Sequence, residues 1–379
     1  MDWRVPLADL DYGVEEQQAV LDVLRRRWLT MGSVTQDFEC QFAEFLGVKY
    51  AIAVSNATMA LHLACRVLGL GPGDEVIVPS LTFVATANAA LYTGAEVRFA
   101  DILGPTELNL SPSSIEKAIT PKTKAIIIMH YGGYPCRLEA IQEIAKRHNL
   151  YVIEDAAHAP GASVNDRALG TWGELGCFSF FSNKNLSTGE GGMLVTDQED
   201  LAQKIHNLRS HGMTSLTWDR HRGHAYSYDV VDLGYNYRID EMRSALGIVQ
   251  LNKLKSNNQK RKYITERYWG LLEGTGVTLP FKGLEGSSAH HIFPILLPDE
   301  VDRKAFIDDL RDEGIQTSIH YPPVHQFSYY RQHYPGISLP ETEAVARREV
   351  TLPLYPEMRD EDIEQVVSAV RKAISYNSS

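Results

Sequence analysis

Between residues 50 and 210 the chain alternates short apolar runs with segments whose apolar positions recur at helical spacing. Tyr50–Val54, Glu75–Val78, Glu96–Phe99, Lys124–Met129, Tyr151–Glu154, Cys177–Phe181 and Gly192–Thr196 read as strands, being short, apolar and bounded by polar or glycine-containing turns. Ala57, Ala60, Leu61, Ala64, Val67 and Leu68 instead form one stripe at i, i+3, i+4 and i+7, the pattern of a helix with one buried face. Ser111-Pro112 offers an N-cap and a first-turn proline for another helix. Strands separated by helices imply an α/β layer fold with a largely parallel sheet, and such sheets bind ligands beyond the carboxyl ends of their strands.

A long, increasingly charged helical stretch runs from Asp240 to about Glu273. A smaller α/β pattern follows it: His291–Leu297 reads as a strand, Asp302–Glu313 as a helix closed by Gly314, and Ile315–Ile319 as another strand. The expected division is therefore a large domain over residues 1–255 and a small C-terminal domain over 256–379. No internal repeat or low-complexity tract interrupts either part.

With 379 residues, 44% of them hydrophobic, the chain is long enough for two or three domains with substantial cores. Its formal charge of −11 disfavours non-specific attraction to nucleic acid or anionic membranes. Cys40, Cys65, Cys136 and Cys177 are scattered without a CxxC pair, so reduced thiols are expected in place of disulfides or structural zinc. The start, Met1-Asp-Trp-Arg-Val-Pro, lacks the apolar core of a secretory signal, and no apolar run reaches membrane-span length. A soluble cytoplasmic protein is the expectation.

The chemistry centres on two strand ends. Tyr151-Val-Ile-Glu-Asp155-Ala-Ala-His158 finishes an apolar strand with two acids and then a histidine. Alone, the acids would read as a helix cap. Gly176-Cys-Phe-Ser-Phe-Phe-Ser-Asn-Lys184 places a lysine directly after another apolar run, inside a polar, glycine-rich loop; lysines are ordinarily solvated surface residues, but seldom sit in so specific a frame. Together the two suit pyridoxal phosphate (PLP): the lysine amine condenses with the cofactor aldehyde, and the carboxylate keeps the pyridine nitrogen protonated so that the ring can accept electrons. Ser55-Asn-Ala57-Thr58, where a strand gives way to the striped helix, suits a phosphate dianion on free backbone N–H groups. Phe83 could stack on a flat ring, although a lone aromatic more often belongs to the core. Strand alternation would put Ser179 and Lys184 on opposite faces only if the strand ran straight through, and the intervening loop breaks that parity.

The sequence resembles the DegT/DnrJ-type sugar aminotransferases, PLP enzymes of fold type I in the aspartate aminotransferase superfamily. The resemblance is carried nearly end to end by Trp28-Leu-Thr-Met-Gly32, Thr82-Phe-Val-Ala-Thr-Ala-Asn-Ala89, Glu154-Asp-Ala-Ala-His158, Ser179-Phe-Phe-Ser-Asn-Lys-Asn-Leu186, Gly189-Glu-Gly-Gly192, Gly234-Tyr-Asn-Tyr-Arg238 and His320-Tyr-Pro-Pro-Val-His325. It implies a PLP-binding large domain built on a mostly parallel central sheet, with the smaller α/β domain after it. Lys184 is then the lysine that carries the cofactor and shuttles the proton, and Asp155 the partner of the pyridine nitrogen. His158 takes the place near the ring hydroxyl, Phe83 stacks on the ring, and Ala57, Thr58 and Ser179 hold the phosphate. Asn236 reaches the phosphate of the other subunit, which makes the working unit a homodimer with shared sites. Thr30, Gly32, Arg238, Tyr321 and His325 fall in motifs that face substrate. Ala57 stands where glycine is common in the family, and Ser187-Thr188 replace smaller residues; a backbone N–H survives at 57 provided no positive φ is needed there.

The resemblance further implies L-glutamate as amino donor and a nucleotide-linked keto-sugar as acceptor. The expected acceptor is a dTDP-4-keto-6-deoxyhexose, giving a 4-amino sugar for a secondary metabolite or a surface glycan, with a 3-keto sugar as the alternative. Related dehydratases carry histidine in place of the lysine, which Lys184 argues against. An ordinary amino-acid aminotransferase would need a carboxylate-binding arginine in a different motif frame. A non-catalytic regulatory relative would have little use for Asp155, Ser179, Lys184 and Asn236 together. His221-Arg-Gly-His224 has metal-like spacing but no matching third ligand, so no metal is expected and a loop near the nucleotide is the simpler reading.

Overall fold

The computed structural model describes residues 3–215, 227–284 and 286–377. Its centre is a seven-stranded sheet. The strands, numbered along the chain, are β1 (Tyr50–Val54), β2 (Glu75–Pro79), β3 (Glu96–Ala100), β4 (Thr123–Met129), β5 (Tyr151–Asp155), β6 (Leu175–Ser179) and β7 (Gly192–Thr196). Their spatial order is β1-β7-β6-β5-β4-β2-β3. Every pairing from β6 through β5, β4 and β2 to β3 is parallel, and β7 alone runs antiparallel to both its neighbours. The sheet is buried on both faces, as parallel sheets covered by helices are. Alternation in β4 shows this directly: Ile126 and Ile128 join the core on one face, Ala125 and Ile127 the core on the other.

The expected α/β architecture is present, with local corrections. The run read as Cys177–Phe181 pairs over Leu175–Ser179 instead. Phe180 and Phe181 are apolar for other reasons: the Phe180 ring packs on Phe38 and Phe42 in the core, while Phe181 is exposed as the chain turns toward Lys184. Ile315–Ile319 forms no strand. Its residues meet two different partners singly, Ile315 with Val5 and Ser318 with Thr351, so no ladder is built. The small C-terminal sheet pairs Phe293–Leu296 with Glu349–Leu352. The helix expected at Asp302–Glu313 is Arg303–Asp312, with the Asp302 carboxylate accepting the Ala305 N–H at 2.7 Å and Gly314 at φ +80° closing it.

The expected boundary at 255/256 falls inside one continuous helix, Glu241–Leu272. Leu251 and Leu254 belong to a core shared with the large sheet, whereas Ile264, Tyr268 and Leu272 pack with Phe293, Ile295 and Val350 of the small one. One helix therefore serves both cores, and no linker separates them. Among the described residues no helix is long and apolar enough to cross a membrane, no group of three or more His, Cys, Asp or Glu is placed to hold a metal, and Cys40, Cys65, Cys136 and Cys177 are unpaired. His221 and His224 lie outside the described residues.

Candidate active site

Asp155 is the last residue of β5 and stands opposite Cys177 in the adjacent β6. Lys184 follows the end of β6 after a turn in which its own N–H donates to the Phe181 carbonyl at 2.9 Å. Both groups thus lie at the carboxyl ends of neighbouring parallel strands, where α/β sheets place ligands. Asp155 is buried, which raises its pKa, and the Thr86 hydroxyl (2.7 Å to Oδ2), the Ala157 N–H (3.2 Å to Oδ1) and Lys184 oppose the rise. Thr86 in turn accepts from Thr82 at 2.7 Å, because its own proton goes to Asp155. Lys184 is half-buried; loss of hydration pushes its amine down to about 8, with Asp155 pulling the other way.

Three histidines face this amine. His158 is buried and held well below the usual imidazole range, first by burial and then by Lys184 and His320. Its Nδ1 accepts the Gly132 N–H at 3.3 Å, so Nε2 carries the proton and donates to the Tyr321 hydroxyl at 3.0 Å. His320, pushed down to about 4 by burial and Lys184, gives its Nδ1–H to Thr351 at 2.8 Å; the Thr351 hydroxyl donates onward to the buried Glu349 carboxylate at 2.5 Å. His291 lies 3.4 Å from Lys184 Nζ through its Nε2.

The anion cradle is assembled by close backbone approach. The helix Ala57–Val67 begins straight after β1, with the Asn56 side chain accepting the Met59 N–H at 3.0 Å. This leaves the N–H groups of Ala57 and Thr58, at the positive end of the helix, without helical partners. Ser179 pairs with Gly192 across β6 and β7. A Cβ on Gly192 would come within 2.5 Å of the Asn56 carbonyl carbon and 2.7 Å of Ala57 N, so only glycine lets β7 lie against the helix start. Ala57 itself heads an ordinary right-handed helix, and the family's glycine is not required there.

Other expected residues are distributed differently. Phe83 is 56% exposed, with its ring 6.1 Å from that of Tyr321. Asn236 is exposed, on a segment whose neighbouring Tyr237 carbonyl accepts the Ser55 N–H at 2.8 Å. Arg238 is half-buried and donates to the Ser210 hydroxyl at 3.4 Å; burial lowers its pKa. Thr30 is exposed, but the Gly32 N–H is engaged by Glu241, whose carboxylate also accepts the N–H groups of Val34 and Thr35 and so caps the helix Ser33–Leu46. His325 is tied inside the fold: Nδ1 meets the Ser80 hydroxyl at 2.7 Å and Nε2 meets Glu343 at 3.3 Å, which leaves no ring nitrogen for a substrate. Thr86, Asn185 and His291 were not singled out from the sequence. Thr86 had a signal, a threonine four residues after Thr82 at the head of a helix beyond β2; His291 had none, since it reads as the start of a strand.

An amine of lowered basicity, a buried carboxylate beside it, a helix N-terminus and an exposed aromatic face fit a flat phosphorylated aldehyde such as pyridoxal phosphate. The comparisons agree with that chemistry. The model of the DegT/DnrJ/EryC1/StrS aminotransferase family matches residues 11–371. The chain is 41% identical to the spore coat polysaccharide biosynthesis protein SpsC of Bacillus subtilis over 370 residues, 96% of this chain and 95% of SpsC. It superposes on Helicobacter pylori PseC, an aminotransferase involved in pseudoaminic acid biosynthesis, with a TM-score of 0.92, 30% identity and coverage of 99% and 100% of the two chains. Spr1654 of Streptococcus pneumoniae in its PLP form gives a TM-score of 0.92 at 27% identity, again covering 99% and 100%. The chain belongs to the DegT/DnrJ/EryC1/StrS aminotransferase family and is a sugar aminotransferase that works with pyridoxal phosphate.

Proposed function

We propose that the enzyme moves an amino group from L-glutamate to a nucleotide-linked keto-sugar, a dTDP-4-keto-6-deoxyhexose, and so makes a 4-amino sugar. The observation that carries this reading is the placement of Lys184 and Asp155 at the carboxyl ends of adjacent parallel strands, where the carboxylate acts on the lysine amine. When bound, the cofactor supplies an aldehyde to carry the amine and a ring that withdraws electrons from the substrate carbon. Lys184 would hold the cofactor, and its amine, pushed down to about 8 by burial, would be able to take up and give back a proton at neutral pH. Asp155 keeps the pyridine nitrogen protonated, oriented by Thr86 and Ala157. His158 sits by the ring hydroxyl with its tautomer set by Gly132.

Ala57, Thr58 and Ser179 hold the phosphate, and Phe83 covers the ring. Asn236 completes the phosphate site of the second subunit of a homodimer. Thr30, Arg238 and Tyr321 contact the sugar nucleotide. The cofactor residues all precede position 255, and Tyr321 and His291 reach in from the part after it. The name of SpsC, a polysaccharide protein, supports a surface glycan as the destination over a secondary metabolite. The test is a panel of nucleotide keto-sugars incubated with L-glutamate, with 2-oxoglutarate and amino sugar both quantified. Turnover is expected with the 4-keto substrate. Turnover with 3-keto sugars alone would move the amine to that carbon, and amination of no sugar in the panel would overturn the reading.

A further inference from the structure

We propose that His291 is the positioning residue for Lys184: its Nε2 lone pair, aimed by the Asn185 amide, receives the lysine amine whenever that amine is free. The inference deepens the reading above and rests on Lys184 being the lysine that carries the cofactor.

A chain of hydrogen bonds fixes which atom of His291 faces the lysine. Asn185 Nδ2 donates to the Asn258 Oδ1 at 2.8 Å and to the Ala289 carbonyl at 2.6 Å. Asn258 is itself fixed, giving its Nδ2 to the Pro160 carbonyl at 2.9 Å. Both amide hydrogens of Asn185 are therefore spent, and only its oxygen is left to face His291 Nδ1, 2.9 Å away. An oxygen opposite a ring nitrogen requires a proton on that nitrogen, so Nδ1 is the donor. Burial first, then His158, Lys184, Arg261 and His320, holds His291 well below the ordinary imidazole range, so the ring is neutral and carries a single proton. Nε2 is then bare and can only accept. The group it faces at 3.4 Å is Lys184 Nζ.

Such a partner has a use in this site. A lysine amine on four methylenes samples many rotamers, and moving a proton between two carbons needs it at one place. The other groups around it serve less well. Asp155 attracts the ammonium form but is engaged by Thr86 and Ala157, and His158 spends its Nε2–H on Tyr321. His320, bonded to Thr351, contributes to the field around Lys184, and Arg261 gives its Nη1 to the carbonyls of Leu354 at 2.8 Å and His291 at 3.4 Å. A bare Nε2 bonds an ammonium more strongly than an amine, so it supports the proton that Lys184 has just taken up.

The test uses cofactor-free protein, with Lys184 labelled by fluorodinitrobenzene across pH and followed by peptide mass spectrometry. His291→Asn keeps a donor for Asn185 and removes the acceptor; the labelling midpoint is expected to fall by about one pH unit, the effect of losing one hydrogen bond to a charged group. His291→Gln restores an acceptor near the Nε2 position and should recover at least half of that shift. In the wild-type protein, ¹⁵N-histidine NMR should show His291 protonated at Nδ1 only, with an Nε2 shift that follows the Lys184 titration and is unresponsive in Lys184→Met. An unchanged midpoint in folded His291→Asn, or a His291 proton on Nε2, overturns the proposal. Failure of the parent reading is separate and visible: borohydride reduction of the holoenzyme would then leave the Lys184 peptide unmodified, while the labelling comparison stays readable.

Discussion

Ser179 and Gly192 face each other across the ladder of β6 and β7, and Gly192 is bare because its Cα lies against the Asn56–Ala57 peptide. A serine hydroxyl and the N-terminus of a helix are thereby brought to one spot by strands far apart in sequence. That convergence, more than any single residue, makes the cradle.

Gly192→Ala should therefore damage cofactor affinity ahead of the fold. The new methyl would meet the Asn56 carbonyl carbon at 2.5 Å and Ala57 N at 2.7 Å, both backbone atoms, so the helix start has to shift. Displacing free N–H groups from a phosphate dianion should weaken PLP binding by roughly tenfold or more. Absorbance titration of cofactor-free protein measures it, with circular dichroism as the control. Wild-type affinity in a folded variant would show that the close approach at Gly192 does not shape the cradle.

Lys184→Met should stabilise the cofactor-free protein near neutral pH. The folded amine titrates near 8 against 10.5 for a free lysine, so below pH 8 the folded state carries a charge that burial disfavours. The sign follows: the penalty is complete below 8 and disappears as pH rises from 8 past 10.5, because both states are then neutral. Discounted for partial exposure, the gain in Lys184→Met at pH 7 is on the order of 2 kcal/mol. Denaturant melts at pH 7 and pH 10 check this, and a gain that persists unchanged at pH 10 would assign the effect to packing.

Asp155→Asn should slow the glutamate half-reaction by about a hundredfold or more while the cofactor still binds, since an amide cannot keep the pyridine nitrogen protonated. Thr86→Val should give a smaller loss in the same step, because it removes the donor that orients Oδ2. Stopped-flow single turnovers report both. If Asp155→Asn matched the parent rate, the carboxylate would be reduced to a cap for the segment that follows β5.

The uneven legibility of this site has physical causes. Lys184 and Asp155 could be found because strand ends are local features, and the apolar runs before them show in the sequence. Thr86 and His291 act through contacts between segments distant along the chain, Thr86 with Asp155 and His291 with Lys184, and no periodicity records such contacts. His325 misled for the converse reason: a histidine in a Tyr-Pro-Pro turn looks available, yet Ser80 and Glu343 occupy both ring nitrogens. Phe180 reads as strand because it is apolar, a property that its packing on Phe38 and Phe42 explains equally well. The boundary placed at 255 met a helix whose successive turns serve two cores, an arrangement invisible to composition.

Asn236 is exposed, on the Gly234–Arg238 segment, whose Tyr237 carbonyl accepts the Ser55 N–H and whose Tyr237 hydroxyl meets His62 of the cradle helix at 3.0 Å. An asparagine ahead of a helix is common and needs no partner. If its amide instead completes the phosphate site of a second subunit, two-fold symmetry makes the exchange mutual. Lys184→Ala homodimers should then be inactive for want of the amine, and Asn236→Ala homodimers impaired at limiting PLP. A mixed dimer concentrates both changes in one site and leaves the other intact, so co-expressed, differently tagged and doubly purified heterodimers should recover up to about half of the parent activity. An Asn236 that served only its own chain would leave each mixed site with one defect: the Lys184→Ala site inactive, the Asn236→Ala site still short of cofactor. Raising PLP separates these outcomes, because saturation should rescue the second arrangement and barely change the first. Heterodimers that reach no more than about half the Asn236→Ala homodimer's activity at limiting PLP, or a fully active monomer in sedimentation, would exclude the exchange.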